Sequence, residues 1–492
     1  MISPLCNQRT VNSFSCNVRN TLVLGVVLGW IQVFPAAQMS AAPIEVGDRL
    51  QLFLDEQLIE SKQHLELKLH EPRRAEICIQ KDRPWEDSTL YDPVVMLDEG
   101  LYRMWYRADF NTPPFYTGYA ESQDGVHWHK PILGLFEFEG SKDNNIVWVG
   151  NHHVAGGNPS TLSIFKDLKP GVSAEERYKA TGVAHGGGLQ GMVSPDGLRW
   201  KLLQQKPVVP PVGAFDSHNI TLWDASRQHY VSYTRGWKDG IRRIRRAVTH
   251  DFSQFPAPEF IDIQNPPGAE IEHLYKNATT PYFRNPEILL MFPKRFHPTR
   301  KFFPEWKPSG QSDIVFMFSR DGIRWDRRFR EAFMRPGPDP LNWHERAIEM
   351  GPGLVPTGAG EMSLYFVEHY RTDSVRIRRA VLRTDGLTSV HAGWREGEFL
   401  TPPLIFNGDR LAINYATSAV GSVRVELQNH TQQPLANCSL EDCIEIFGDE
   451  TQRIVAWKQN ADIGRFAGQS IRLRVVMREA DLFSMRFLAN SP

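Results

Sequence analysis

At about 150 residues per domain, the 492 residues of the chain suggest two or three domains once any targeting segment is removed. Apolar residues make up 41% of the chain and aromatic residues 11%, which excludes both a single small module and a wholly disordered chain. The 56 lysines and arginines nearly balance the 57 aspartates and glutamates, so no overall field attracts the protein to nucleic acid or to an anionic membrane. We therefore expect a small or locally charged ligand as its partner.

Residues 1–42 have the pattern of a secretory signal peptide. Arg9 and Arg19 precede an apolar run at 22–34, and small residues follow it up to Ala42. The run is shorter than the roughly 20 residues that a membrane-spanning helix needs, although a retained N-terminal anchor stays an alternative. We expect an exported protein, periplasmic or extracellular, with no other membrane association.

Cleavage at this point would leave three cysteines in the mature chain, Cys78, Cys438 and Cys443. A disulfide between Cys438 and Cys443 suits an exported protein, but so short a loop removes little chain entropy. A disulfide and two independent thiols therefore both remain open.

A seven-residue motif occurs three times and indicates an internal repeat. It runs from Ser122 to Trp128 (SQDGVHW), from Ser194 to Trp200 (SPDGLRW) and from Ser319 to Trp325 (SRDGIRW). Asp-Gly is a strong hairpin signal, and each copy follows a strand-like stretch. Two degenerate copies complete a set of five turn aspartates, which are Asp124, Asp196, Asp251, Asp321 and Asp385.

The separations between these aspartates, 72, 55, 70 and 64 residues, each accommodate a four-stranded antiparallel unit. Five such units predict a five-bladed β-propeller over residues 45–394, with a large β-sandwich as the alternative. Beyond about residue 395 the turn motif stops, and strand-like runs at 423–427, 471–475 and 482–487 alternate with period two. Residues 395–492 are therefore predicted to form a C-terminal β-sandwich, which makes the fold class all-β.

Three predicted units begin with carboxylates, which are Asp92 in the first, Asp216 in the third and Glu272, with Glu270 beside it, in the fourth. In a propeller the innermost strands line a central channel, so residues near their starts gather at one mouth. Each carboxylate alone could simply cap a turn. Together they predict a carboxylate site.

The order and separations of these residues resemble the five-bladed glycosidases of glycoside hydrolase families 32 and 43, the arabinanase, levansucrase and invertase type. Asp92 precedes Pro93, Asp216 follows 124 residues later, and Glu272 another 56 residues on. The C-terminal sandwich resembles family 32 in particular. Where family 32 has Asn-Asp-Pro-Asn, Arg-Asp-Pro and Glu-Cys, this chain has the following stretches: Tyr91-Asp92-Pro93-Val94, Phe215-Asp216-Ser217 and Glu272-His273. The resemblance is thus to a divergent member, and it does not imply fructan specificity.

The resemblance implies a role for each carboxylate. Asp92 would be the nucleophile or base, Glu272 the acid, and Asp216 the residue that binds sugar hydroxyls and raises the pKa of the acid. Glu270 lies two residues from Glu272 and stays the alternative acid. We expect the three carboxylates to lie within about 10 Å of one another, as glycosidase pairs require.

Aromatic and cationic residues recur near the ends of the predicted strands. Such pairs suit a sugar ring with an anionic substituent, although structural salt bridges remain the alternative. The predicted substrate-binding residues are Arg107, Arg235, His218, Tyr275, Lys294, Arg295 and His369.

Two other groups of residues are interpreted differently. Arg242, Arg243, Arg245 and Arg246 alternate between both strand faces and are predicted to form a solvated outer edge. His152, His153 and His185 lack metal-ligand spacing, so neither a metal nor another cofactor is expected.

The sequence thus predicts a glycosidase that cleaves an oligosaccharide or polysaccharide with an Asp/Asp/Glu triad. A phosphorylase on the same fold and a non-catalytic glycan-binding protein of the cell envelope are the alternatives. The expected partner is a carbohydrate, with an anionic substituent and not nucleic acid, and the oligomeric state stays open.

Overall fold

The computed structural model describes residues 42–489 apart from 111, 307, 308 and 459, so the predicted signal peptide lies almost wholly outside the described residues. The all-β class is confirmed. Within the described residues, helix is limited to four three-residue 3-10 turns: Glu56–Leu58, Ala174–Glu176, Pro340–Asn342 and Gly464–Phe466. No helix in this part of the chain is long and apolar enough to cross a membrane.

Five strands come first in the chain, and none of them pairs with a sequence neighbour. They are β1 (Ile44–Gly47), β2 (Gln51–Leu52), β3 (Ser61–Gln63), β4 (Leu65–Leu69) and β5 (Arg73–Gln80). Their partners all come from the last quarter of the chain.

Three antiparallel four-stranded sheets follow, each with its strands in chain order. The first contains β6 (Tyr91–Asp98), β7 (Leu101–Ala108), β8 (Phe115–Ser122) and β9 (Ile146–Gly150). The second contains β10 (Ser160–Lys166), β11 (Tyr178–Val183), β12 (Leu189–Ser194) and β13 (Lys201–Leu202). The third contains β14 (Ile220–Asp224), β15 (His229–Lys238), β16 (Ile241–Thr249) and β17 (Glu259–Phe260). Neighbouring residues such as Trp105 and Tyr106 are both buried, because the sheets are covered on both faces.

The fourth group of strands is divided into two small sheets. Its strands are β18 (Asp262–Gln264), β19 (His273–Tyr275), β20 (Thr280–Tyr282), β21 (Asn285–Met291), β22 (Lys294–His297), β23 (Gln311–Ile314), β24 (Met317–Ser319) and β25 (Arg324–Asp326). One sheet has the order β18-β25-β24-β21-β20 and the other the order β19-β22-β23. Pro293, which has no N–H to donate, lies between β21 and β22 where the chain passes from one sheet to the other.

The fifth sheet combines both halves of the chain. It contains β26 (Glu349–Met350), β27 (Val355–Gly358), β28 (Glu361–Glu368) and β29 (Arg376–Arg383), and β5 pairs with β29 at its edge. Contacts join β6 to β10, β10 to β14, β16 to β19 and β23 to β26, and both β26 and β28 contact β6. If the two small sheets of the fourth group are taken together, each sheet contacts the next and the last returns to the first.

The remaining strands form a ten-stranded sheet with β1 to β4. They are β30 (Thr388–Ala392), β31 (Gly397–Leu400), β32 (Leu404–Phe406), β33 (Arg410–Gln428), β34 (Asp449–Ile454) and β35 (Ser470–Leu488). The start of the chain belongs to this sheet, because β4 pairs with β30 and residues such as Val46 and Phe53 share the C-terminal core. Cys438 and Cys443 are buried free thiols in this region.

Each of the five turn aspartates lies two residues beyond the end of a strand, and these strands are β8, β12, β16, β24 and β29. In the three full repeats the geometry is the same. Ser122 Oγ accepts from Gly125 N, and Asp124 Oδ1 accepts from the N–H groups of Val126 and His127. These local bonds explain why the motif recurs, since each copy closes the same turn. Asp385 differs, because its buried carboxylate binds Tyr282, Arg284 and Ser484 instead.

Candidate functional site

One cavity of about 360 Å³ receives side chains from all five groups of strands. Its lining residues are Tyr91, Asp92, Arg107, Phe115, His152, His153, Thr161, Val183, Asp216, Ser217, Arg235, Arg242, Tyr275, Lys276, Lys294, Arg346, Tyr370 and Arg371. A cavity of about 450 Å³ on the C-terminal sheet has Glu398 as its one lining carboxylate. The first cavity is therefore the candidate site, because its lining combines two carboxylates with several cations and aromatic rings.

The floor of the cavity is a buried cluster of two carboxylates and two lysines. Lys276 Nζ donates to Asp92 Oδ1 at 2.8 Å and to Glu349 Oε2 at 2.7 Å. Lys294 Nζ donates to the same Glu349 oxygen at 2.5 Å, and the backbone N–H of Asp92 donates to Glu349 Oε1 at 3.3 Å. Glu349 thus ties two lysines to the start of β6, which carries Asp92.

The cluster shifts the pKa values of its members in opposite directions. Burial acts to raise the pKa of Glu349, but Lys276 and Lys294 outweigh it and lower that pKa. For Lys276, burial is outweighed by Asp92 and Glu349, so its pKa is raised. Lys294 has one carboxylate partner and faces Lys276, so burial prevails and lowers its pKa to about 7. Lys294 is therefore a buried amine that titrates near neutral pH.

His218 lies behind Asp92, with Nδ1 3.7 Å from Asp92 Oδ1 and Nε2 3.2 Å from the carbonyl oxygen of Leu162. Burial lowers the pKa of His218. A neutral imidazole that donates from Nε2 to the carbonyl satisfies this geometry. His218 therefore lies beside Asp92 but outside the cavity lining, and its hydrogen bond goes to the backbone of Leu162.

The backbone around the cavity adopts the left-handed conformation at several residues other than glycine. Asp92 has φ +54°, Thr161 +57°, Lys276 +51°, Arg346 +60° and Arg371 +65°. Asp92 and Thr161 also lie where the pairing register shifts in β6 and β10. Such bulges redirect side chains, and costly backbone conformations concentrate at functional sites.

Most cations of the cavity wall have a carboxylate partner. Arg107 pairs with Asp109, Arg235 pairs with Asp216, and Glu345 contacts both Arg346 and Arg371. Arg242 differs, since among the described residues it forms no ion pair with a carboxylate, and its guanidinium instead contacts His273 Nδ1 at 3.4 Å.

Two of the three predicted catalytic carboxylates line the cavity. Asp92 is buried at its floor, whereas the side chain of Asp216 is 75% exposed. Glu272 is not among the lining residues. Its carboxylate contacts Arg295 at 2.9 Å, Arg330 at 3.2 Å and Arg327 at 3.4 Å. Glu270 is exposed, and its carbonyl oxygen accepts from Arg330.

The predicted binding residues divide in a similar way. Arg107, Arg235, Tyr275 and Lys294 line the cavity, and His218 lies behind it. Two others lie elsewhere: Arg295 pairs with Glu272 and Asp313, and His369 contacts Asp339 and Ser374.

The predicted solvated edge of arginines is wrong for two of its members. Arg242 lines the cavity, and Arg245 is buried, donating to the backbone carbonyls of Arg235 and Ala214. Strand alternation assigns these residues to faces, but it does not show that both faces of β16 are covered.

Several cavity residues were missed in the sequence. Glu349, Lys276, Arg346 and Arg371 were not singled out, although the run from His344 to Glu349 is rich in charged residues and opens the fifth sheet. His152 and His153 line the cavity as an aromatic pair with Phe115. Among the residues that the structure describes, no three His, Cys, Asp or Glu side chains are grouped to hold a metal ion.

No model of a protein family matches the chain, and no curated protein matches it either. Similar solved structures include an N-acetylgalactosamine deacetylase from F. plautii in complex with blood group B trisaccharide, at 12% identity and a TM-score of 0.45 over 65% of this chain and 96% of that one. Another comes from work on the GH130 family of mannoside phosphorylases, which contains hydrolases that target β-1,2 mannosidic linkages in Candida mannan. It is 13% identical with a TM-score of 0.42, over 65% of this chain and 94% of that one. A family 117 glycoside hydrolase from Zobellia galactanivorans is 12% identical with a TM-score of 0.39, over 64% of this chain and 90% of that one. The function of this chain is therefore inferred below from the residues of its cavity.

Proposed function

We propose that the protein is a glycoside hydrolase and that this cavity is its active site. The observation that carries the proposal is a group of buried polar atoms without a hydrogen-bond partner in the described chain. They belong to cavity residues and are Asp92 Oδ2, Ser217 Oγ, Arg235 Nε and Tyr275 Oη. An unpaired buried polar atom costs about 1–3 kcal/mol and is rare in folded proteins. Four of them in one cavity support a ligand with many hydroxyl groups, such as a sugar.

The chemistry follows from the two carboxylates of the cavity lining. Hydrolysis of a glycosidic bond needs one carboxylate that attacks the sugar or activates water and one carboxyl group that protonates the leaving oxygen. Asp92 suits the first role, since Lys276 holds one of its oxygens and the other has no partner. We propose Asp216, at the exposed side of the cavity, as the second group in place of Glu272.

Product analysis on a panel of neutral and acidic oligosaccharides tests this proposal. Asp92→Asn is expected to lower kcat by about 10²- to 10⁴-fold, the usual contribution of a positioned acid or base, and Asp216→Asn to lower it similarly. Glu270→Gln, an exposed neighbour, serves as the matched control for Glu272→Gln. Wild-type rates for Asp92→Asn would refute the proposal, and a loss with Glu272→Gln alone would return the acid role to Glu272.

A phosphorylase is the second candidate, because seven lysines and arginines line the cavity and could bind inorganic phosphate. Assays with and without phosphate separate the two activities. A phosphorylase forms a sugar phosphate and needs phosphate for turnover, whereas a hydrolase does not. Binding of glycans without any product would indicate the non-catalytic alternative.

The proposal extends to the fold of the protein and to its location outside the cytoplasm. We propose that the five groups of strands are the blades of a five-bladed propeller and that the C-terminal sheet forms a β-sandwich, as in a divergent relative of families 32 and 43. The contacts of each sheet with the next support this arrangement. Export through residues 1–42 is checked by N-terminal sequencing of the secreted protein.

A further inference from the structure

Arg242 is the cation of the cavity wall that lacks a carboxylate partner. It is the second residue of β16 and is half-buried. Its guanidinium carbon lies 4.7 Å from the ring centres of Trp237 and Phe296 and 5.2 Å from that of Tyr275. Its remaining polar contact is to His273 Nδ1, at 3.4 Å. The other lysines and arginines that line the cavity each contact a carboxylate.

The aromatic rings hold this guanidinium in place while leaving its N–H groups without an anionic acceptor. Arg235 shares two of the rings, at 5.1 Å from Trp237 and 5.8 Å from Tyr275. Burial lowers the pKa of Arg242. The neighbouring Arg235 and Arg346 act in the same direction, whereas Tyr275 and Asp216 act to raise it. An anion bound here would relieve repulsion among fixed cations and accept charge-assisted hydrogen bonds.

We infer that Arg242 recognises an acidic sugar, so that the substrate carries a carboxylate or a sulfate on the unit beside Trp237. This inference rests on the proposed function, since it names the substrate class of the same cavity. Trp237 is 42% exposed. The Tyr275 hydroxyl and Arg235 Nε have no partner, and they belong to a ring that Arg242 contacts and to an arginine that shares its rings. An anionic group bound to Arg242 therefore places neighbouring hydroxyls against polar atoms that need partners.

The first test compares matched substrates. The value of kcat/KM is measured on a uronic acid oligosaccharide, on a sulfated oligosaccharide and on the neutral counterpart of each. For Arg242→Gln the ratio of acidic to neutral kcat/KM is expected to fall about 10- to 100-fold, because a charge-assisted hydrogen bond is lost, and Arg242→Lys should retain part of it. Arg243→Gln, on the opposite face of the same strand, is the control and should leave the ratio unchanged.

The two acidic substrates distinguish carboxylate from sulfate. In Arg242→Gln, the ratio of acidic to neutral kcat/KM should fall more for the substrate that carries the preferred group. An unchanged ratio for Arg242→Gln, or an equal drop for Arg243→Gln, overturns the inference.

A second measurement does not depend on turnover. Calorimetry records the binding of glucuronate, glucose 6-sulfate, glucose and inorganic sulfate to wild type, Asp92→Asn and Arg242→Gln. We expect an acidic sugar to bind wild type and Asp92→Asn at least 10-fold more tightly than glucose, and this preference to be lost in Arg242→Gln. Equal affinity for inorganic sulfate and the acidic sugars would mean a simple ion site and overturn the inference. Acidic sugar binding without any turnover would instead refute the proposed hydrolase while leaving the anion site in place.

Discussion

Lys276 is the cation that two buried carboxylates share, so its removal should destabilise the protein strongly. Asp92 Oδ1 and Glu349 Oε2 both bind Lys276 Nζ, at 2.8 and 2.7 Å, which places them no more than about 5.5 Å apart. At that separation two charges repel by about 3 kcal/mol at an effective dielectric constant of about 20. The expected loss for Lys276→Met is about 3–5 kcal/mol, the range for breaking a buried ion pair.

Urea unfolding at pH 8 and pH 5 measures this loss, with Lys62→Met as the control. Lys62 pairs with Glu56 at the surface, 3.4 Å away and a third exposed, so its removal should cost less than about 1 kcal/mol. The double variant Lys276→Met with Glu349→Gln removes one of the repelling charges and should recover at least half of the loss.

The stability lost in Lys276→Met should depend on pH in a definite direction. In Lys276→Met, burial and mutual repulsion raise the pKa values of both carboxylates above their unfolded values near 4, so the stability of the variant rises as pH falls through the raised values. In wild type the pKa of Glu349 is lowered. The stability that its ionised carboxylate contributes is therefore lost only below about pH 4. The difference in the free energy of unfolding between wild type and Lys276→Met should therefore be smaller at pH 5 than at pH 8. A loss of unfolding free energy below about 1 kcal/mol in Lys276→Met, or a difference from wild type that is the same at both pH values, would refute the reasoning.

Two further predictions concern Gly353, which lies against β6, and Lys294 of the cavity floor. Gly353 has φ +108°, and a Cβ there would lie 1.9 Å from the carbonyl oxygen of Val95 on β6, so Gly353→Ala should cost about 3 kcal/mol or more in urea unfolding. Gly240→Ala, at φ +75° with no atom within 4 Å of the added Cβ, should cost about 1 kcal/mol, and equal losses would contradict the clash. The pKa of Lys294 is lowered to about 7, so the unfolded chain binds one more proton between pH 7 and about 10 and wild-type stability should rise over this range. Lys294→Met should lack that rise, and parallel stability curves for the two proteins would show that Lys294 does not titrate in this window.

The repeated turns could be predicted from sequence because their hydrogen bonds are local. Ser122, Asp124 and Gly125 bond to residues no more than three positions away, so the motif carries its own structure. The pairing of β4 with β30 could not be predicted in this way. It joins residues more than 300 positions apart, and nothing in either strand specifies the other.

Glu272 was predicted to lie at the cavity on the assumption that residues near the starts of the innermost strands gather at one mouth, and the resemblance to families 32 and 43 implied its role as the acid. That assumption suits Asp92 and Asp216, which come at or before the starts of β6 and β14. In the fourth group the chain meets the cavity at the other end of β19, where Tyr275 ends the strand and the left-handed Lys276 follows it. The direction of a strand relative to a central cavity depends on the tertiary arrangement, which the local pattern does not encode.

The strands β1 to β5 have a consequence for how the molecule is assembled. Every partner of these strands lies at or beyond Arg376, so the first 40 or so described residues stay unpaired until most of the chain has been synthesised. Long-range pairing of this kind slows folding, and unpaired strand edges favour association with other chains. Once formed, β5 joins the beginning of the chain to the fifth sheet and β1 to β4 join it to the C-terminal core. The two ends of the chain therefore hold each other in place, and a ribosome-bound fragment that stops before β29 has an exposed set of strand edges for a chaperone to cover.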